Sequence, residues 1–259
     1  MRSTARVDPL SGRGSGIDHL SVLARLQGSF LSGVERADPR APVPRCAPWR
    51  VADLVQHLAY IHHWAAAQAR GTRASPLGDA PSDLASHYAA CAAELRDTLT
   101  DLGPDAVSRT LLGPGPASFW HRRQVHETLV HLHDLRAAGG DNVDTATVDD
   151  VGEDDVGAEV WADAVDEVVT VLQPRQVRLE RMGSLARTVA LTAPDTGGTW
   201  VLGGHEDTRS LGEPAATLTA PAHELALVLW RRLTVEDTSA TVTGERAALD
   251  GALAQPIVP

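Results

Sequence analysis

Between residues 117 and 138 the chain sets Trp120, Gln124, Glu127, His131 and Asp134 at steps of four, three, four and three. At about 100° per residue these steps keep all five on one face of an α-helix. A face turned into a helical bundle is ordinarily apolar, because buried charge is costly unless paired. Glu127 and His131, one turn apart, converge on a single point, which is how bundles build metal sites. A third ligand is expected from another helix. His57, inside Asp53-Leu54-Val55-Gln56-His57-Leu58, shares a face with Trp64 and is flanked by Leu54, Tyr60 and Ile61. Two imidazoles and one carboxylate suit catalytic zinc and leave a position open for water or substrate. Non-haem iron uses a similar set, so ligand type does not fix the metal. An acid and a histidine four apart also make an ordinary solvated pair, and a single histidine such as His57 is an ordinary core or surface residue. The string His126-Glu127-Thr128-Leu129-Val130-His131 is not a zinc-protease motif: its histidines are five apart, about 140° around the helix.

These residues need a scaffold. Helical periodicity covers 18–36, with Asp18 as cap, then 49–70 after Pro48, 81–102 with Pro81 in its first turn, and 117–138 after Gly113-Pro114-Gly115-Pro116. Four helices of about 20 residues predict an antiparallel four-helix bundle over 17–140. Residues 1–16 read as a disordered tail and the acidic stretch 141–155 as a linker. The segment 156–259 reads as a smaller α+β domain. It has a helix over 156–173, strands at 177–180, 188–192, 199–202 and 241–243, and helices over 221–233 and 245–254. His62, His63, His121, His126 and His133 are assigned to the surface. Cys46 is expected to be buried, with no acid and histidine placed to make it a nucleophile.

Composition narrows the partners. The 34 acidic and 23 basic residues give a formal net charge of −11. With no long basic run, nucleic acid is excluded as a partner. No segment has the ~20 apolar residues of a membrane span, and residues 1–16 lack the apolar core of a signal peptide. Cys46 and Cys91 have no metal-ligand spacing. A cytoplasmic location is expected. All 23 basic residues are arginine, asparagine occurs once and isoleucine three times, a bias that fits a GC-rich genome.

Taken in order, Cys46-Ala47-Pro48-Trp49, Asp53-Leu54-Val55-Gln56-His57-Leu58 and Arg123-x-x-x-Glu127-x-x-x-His131-x-x-Asp134 resemble the mycothiol-dependent maleylpyruvate isomerase family, one of the DinB-like metal-binding four-helix bundles. Trp161-Ala162-Asp163-Ala164-Val165-Asp166-Glu167, Asp195-Thr196-Gly197-Gly198-Thr199-Trp200 and Leu229-Trp230-Arg231-Arg232 are similar to its C-terminal domain, so the resemblance runs over roughly 18–252. It implies zinc ligands at His57, Glu127 and His131, mycothiol as thiol cosubstrate, a small electrophile as substrate and an actinobacterial source. It also implies an arginine of the C-terminal domain that holds the anionic substrate; Arg232 matches best and Arg231 is the alternative. The family's arginine near the third helix has no match within 81–95; Arg70, Arg73 and Arg96 are imperfect candidates.

A free thiol has a pKa of about 8.5, and metal coordination deprotonates it. The expected activity is thiol addition to an electrophile, giving cis–trans isomerisation or S-transfer. The competing expectations are a zinc hydrolase of a thiol conjugate or amide, and a non-catalytic metal-binding or stress-sensing module. The chain is expected to be a monomer or homodimer.

Overall fold

In a computed structural model the described residues are 16–78, 83–139, 156–204 and 213–259. The expected tail (apart from Gly16), the expected linker and Pro81 lie outside them. The chain forms two compact units, Met1–Asp155 and Val156–Pro259.

The first unit is the four-helix bundle: α1 (His19–Arg36), α2 (Val51–Ala69), α3 (Leu84–Leu102) and α4 (Ser118–Ala138). The Asp18 and Asp83 carboxylates cap α1 and α3 by accepting from the Ser21 and Ser86 amides, both at 3.1 Å. Asp53 in the first turn of α2 accepts from the Arg50 amide at 2.8 Å. Helix α1 packs on α3 and α4, and α2 packs on the same two, so α1 and α2 occupy one diagonal. That arrangement makes α2 and α4 neighbours. Leu23, Leu26, Phe30, Leu54, Leu58, Tyr88, Leu95, Leu99 and Leu129 fill the core. Helix α4 is buried along nearly its whole length, although it is the most polar of the four. The α3–α4 connection is a short ribbon, β1 (Val107–Thr110) paired antiparallel with β2 (Gly113–Pro116), which the glycines and prolines of 113–116 hide from a search for alternation. The Trp120 indole donates to the Arg109 carbonyl at 2.8 Å and ties the ribbon to the start of α4.

The second unit is α+β. Helix α5 (Ala158–Glu167) continues through a π turn at Val168–Leu172 into α6 (Gln173–Arg178). Pro174 has no amide to donate, which removes one helical bond within this run. The strand expected at 177–180 is therefore wrong. Its first residues end a helix, Leu179 is 41% exposed, and Glu180 turns to a positive φ of 56°. The four-stranded sheet has the order β4 (Gly198–Leu202), β3 (Val189–Ala193), β5 (Ala216–Thr219), β6 (Thr241–Gly244). The β3–β5 pair is parallel and the others antiparallel. Strand β5 escaped the sequence reading because Ala-Thr-Leu-Thr carries a single large apolar residue. Helix α7 (Ala222–Leu229) packs on α5 and β3, and the Asp195 carboxylate accepts from its Ala222 amide at 3.0 Å. Helix α8 (Arg246–Leu253) closes the unit against β5 and β3.

Gly244 ends β6 opposite Ala216 with φ of 81°, and a Cβ there would lie 2.4 Å from the Ala215 carbonyl oxygen. Backbone cannot yield as a side chain can. Gly244→Ala is expected to destabilise the protein by at least about 2 kcal/mol, read as a lowered urea midpoint.

Candidate metal centre

His57 leaves α2, and Glu127 and His131 leave successive turns of the neighbouring α4. One donor atom from each lies within 4.8 Å of the other two. Glu127 Oε1 is 3.3 Å from His131 Nε2 and 3.5 Å from His57 Nε2. A tetrahedral zinc ion with bonds of 2.0–2.1 Å separates its ligands by roughly 3.4 Å. The three donors fit such an ion, with a fourth position left over.

Each donor has its own holder. The second oxygen of Glu127 receives the Arg123 guanidinium, one turn earlier on α4. His131 Nδ1 is 2.9 Å from Asp134 Oδ2. The Trp49 ring packs on His57 at 4.8 Å between centroids and reaches His131 at 6.4 Å. Trp49 stands on a compact loop before α2, closed by a bridge between Pro42 and Arg50 and by a 3-10 turn at Pro44–Cys46. From that turn the half-buried Cys46 thiol donates to Asp134 Oδ2 at 3.4 Å. An acid and a histidine thus do stand near Cys46. Sequence alone placed Arg123 and Asp134 in the motif, at i−4 from Glu127 and i+3 from His131, without giving them roles. Trp49 and Cys46 precede α2 and carried no periodic signal toward the site.

Electrostatics follow from burial. Burial alone would raise the Glu127 carboxyl, but the Arg123 charge and the hydrogen bonds from His131 and His57 hold it well below the usual carboxylate range. Burial alone would lower His131; its hydrogen bonds to Asp134 and Glu127, with their charges, raise it to about 9. His57 keeps 30% of its side chain exposed. It opens onto a cavity of about 530 Å³ lined in part by Trp49, Asp53, Gln56, Tyr60 and His87.

Four histidines expected at the surface are buried instead: His62, His63, His121 and His126. His62 pairs its Nδ1 with Gln124 Oε1 at 2.8 Å, and burial pushes it down to about 4, so it is neutral. His63 bridges Glu94 at 2.6 Å and the Ser75 carbonyl at 3.0 Å.

Known proteins share both units of this fold. The model of the mycothiol maleylpyruvate isomerase N-terminal domain matches residues 23–136, and that of the family's C-terminal domain matches 159–251. The chain belongs to the mycothiol maleylpyruvate isomerase family. A crystal structure of the mycothiol-dependent maleylpyruvate isomerase superposes with a TM-score of 0.62 at 14% identity, covering 88% of this chain and 93% of that one. A histidine-to-alanine mutant of that enzyme gives the same TM-score and coverage at 13% identity. At this identity the likeness concerns the fold. No curated protein matches the chain.

Among the arginines a family member would offer to an anionic substrate, most are engaged. Arg70 pairs with Glu94 at 2.8 Å and with Thr98, and Arg96 donates to Gln27 at 2.7 Å. Arg231, at φ of 59°, reaches the Ala254 carbonyl at 3.2 Å just past α8. Arg232 is half-buried and donates from Nη1 to the Trp230 carbonyl at 2.8 Å. Among the described residues no helix is long and apolar enough to cross a membrane.

The raised His131 pKa has a sign. In the metal-free protein its stabilising contribution is complete below the unfolded value of 6.5 and is lost as pH rises through about 9. The lowered Glu127 pKa acts oppositely, its contribution vanishing as pH falls through the depressed value. A metal must displace the His131 proton. Zinc binding near pH 7.5 is expected to release about one proton from this ring, with release declining as pH passes 9. Calorimetry in buffers of different ionisation enthalpy measures it.

Proposed function

We propose that the chain is a metal-dependent enzyme that uses mycothiol to attack a small electrophile, in the manner of a maleylpyruvate isomerase. The observation that carries this reading is the convergence of His57 Nε2, Glu127 Oε1 and His131 Nε2, with a fourth position left over. Family membership supplies the thiol.

His57, Glu127 and His131 would hold the ion, most simply zinc. When bound, the metal supplies the acidity that turns a thiol into a thiolate at neutral pH. The chain's own residues set the charge balance. Glu127 and Asp134 bring two negative charges, and Arg123 returns one positive charge. A divalent ion therefore leaves one positive charge uncompensated, which favours an anionic fourth ligand over a neutral one. Trp49 covers the two imidazoles and shields their face from water. The thiolate sulfur adds to one carbon of a cis double bond, and the electron pair moves onto the electrophile. The new single bond rotates; the C–S bond then breaks, the pair returns, and the trans product leaves. If a proton quenches that electron pair instead, the sulfur stays attached and the outcome is S-transfer.

One observation bears on the charge of the electrophile. Arg70 and Arg96 are occupied by Glu94, Thr98 and Gln27, and no arginine lines the cavity beside His57 among the described residues. An electrophile less charged than a dicarboxylate fits that lining. Arg232, the match to the family's C-terminal arginine, is the residue we propose for a single carboxylate on the substrate.

The test is metal analysis of purified protein followed by mycothiol-dependent turnover of maleylpyruvate against a panel of uncharged electrophiles. Glu127→Gln is expected to lose metal, keep its helical circular dichroism and lose at least about 30-fold in rate, since only about 3% of a free thiol is ionised at pH 7. Turnover that ignores mycothiol would move the reading to a hydrolase. Arg232→Ala is expected to raise KM for carboxylate-bearing electrophiles and leave KM for mycothiol unchanged, which steady-state kinetics decides.

A further inference from the structure

Asp134 is 1% exposed and its Oδ2 faces two partners, His131 Nδ1 at 2.9 Å and Cys46 Sγ at 3.4 Å. A carboxylate taken out of water needs hydrogen-bond donors in return. Neither partner can play acceptor toward it. His131 must therefore carry a proton on Nδ1, and the Cys46 sulfur must carry its own. The proton on Nδ1 fixes which imidazole nitrogen is free to ligate: Nε2, the atom that lies 3.3 Å from Glu127 Oε1. A carboxylate behind a ligating histidine both orients the ring and makes it more basic.

Cys46 adds a second constraint. It is 88 residues from Asp134 in sequence, so its bond ties the loop before α2 to the last turns of α4. Three residues further along that loop stands Trp49, whose ring packs on His57. One thiol contact thus fixes the carboxylate behind His131 and the approach of the aromatic cover to His57.

We infer that Asp134 is the positioning residue for His131 and that the Cys46 thiol is its clamp, a hydrogen-bond donor and not a nucleophile. This rests on the reading of His57, Glu127 and His131 as metal ligands. It goes beyond that reading by giving Cys46 and Asp134 distinct, separable roles. A cysteine beside an acid and a histidine invites the opposite reading, a thiolate nucleophile activated by a base. The geometry opposes it: the acid touches the sulfur directly, and a thiolate there would face a carboxylate at hydrogen-bond distance.

The experiment compares wild type, Asp134→Asn, Cys46→Ala and Cys46→Ser. Zinc affinity is measured by chelator competition, ligand geometry by the visible spectrum of the cobalt-substituted protein, and folding by the melting temperature of the metal-free form. Asp134→Asn is expected to weaken zinc binding by about 10- to 100-fold and to shift the cobalt bands. Cys46→Ala moves both readouts the same way by less, and Cys46→Ser, which keeps a donor, restores them. Under saturating zinc, Cys46→Ser retains thiol-dependent turnover. If Asp134→Asn fails to fold, the alanine and serine variants at Cys46 still decide. Unchanged zinc affinity and cobalt spectra in Asp134→Asn, or in Cys46→Ala where that variant must serve, would overturn the positioning role. Lost turnover in Cys46→Ser with normal zinc binding would overturn the clamp and make the thiol a nucleophile. A wild-type chain with no zinc affinity is a separate result and sinks the metal reading itself.

Discussion

The arrangement of the first unit depends on one constraint: Glu127 is a carboxylate placed inside a helical bundle. An ionised carboxyl taken out of water is tolerated only where donors and positive charge surround it. Arg123 occupies one oxygen. The other oxygen points at His131 and His57 and finds only imidazole nitrogens there. His131 in turn leans on Asp134, and Asp134 on Cys46. The polar chain runs from α4 to the loop before α2 and back to α2 through the Trp49–His57 stack. Removing one partner leaves a buried charge without compensation, which costs far more than the pair itself contributes.

The bundle's packing order follows from the same demand. The ligands come from α2 and α4, so these helices must be neighbours, and they are. Away from these ligands the core includes a large apolar cluster, with Phe30 and Tyr88 in ring contact at 4.7 Å. A bundle of this size with such an apolar cluster should not need a metal to fold. The polar face of α4 breaks the ordinary pattern of an apolar interior. Such local violations mark functional sites when the rest of a domain is consistent.

Helices, three of the sheet's four strands (β3, β4 and β6) and the converging face of α4 were legible because each has a period. Glu127 and His131 could be read as a pair from their spacing, and His57 from its place beside Leu54 and Trp64. What the period does not carry was lost. The ribbon at 107–116 is built of glycine and proline, whose pairing is backbone only. Strand β5 has one large apolar side chain. The helix through 178 was taken for a strand because Val177 and Leu179 alternate with arginine and glutamate over four residues, too short a run to separate a period of 2 from 3.6. The burial of His62, His63, His121 and His126 was missed for a different reason. Composition ranks histidine as intermediate, and for His62 and His63 it is the tertiary partners, Gln124 and Glu94, that offset the cost of burial.

Charge bookkeeping links the site to its substrate. The ligand cluster holds two carboxylates and one guanidinium beside the imidazoles, a balance that admits one more anion once a divalent ion is present. In the proposed reaction a thiolate fills that place. A second anion, such as a substrate carboxylate, then needs its own cation. Arg70 and Arg96, the cations that α2 and α3 could offer, are committed to Glu94, Thr98 and Gln27, and the groove beside His57 is lined by Asp53, Gln56, Tyr60 and His87. Those side chains hydrogen-bond hydroxyl and amide groups well and repel carboxylates through Asp53. On the proposed reading, the residues that would generate the nucleophile, His57, Glu127 and His131, differ from Asp53, Gln56, Tyr60 and His87, which would meet the electrophile.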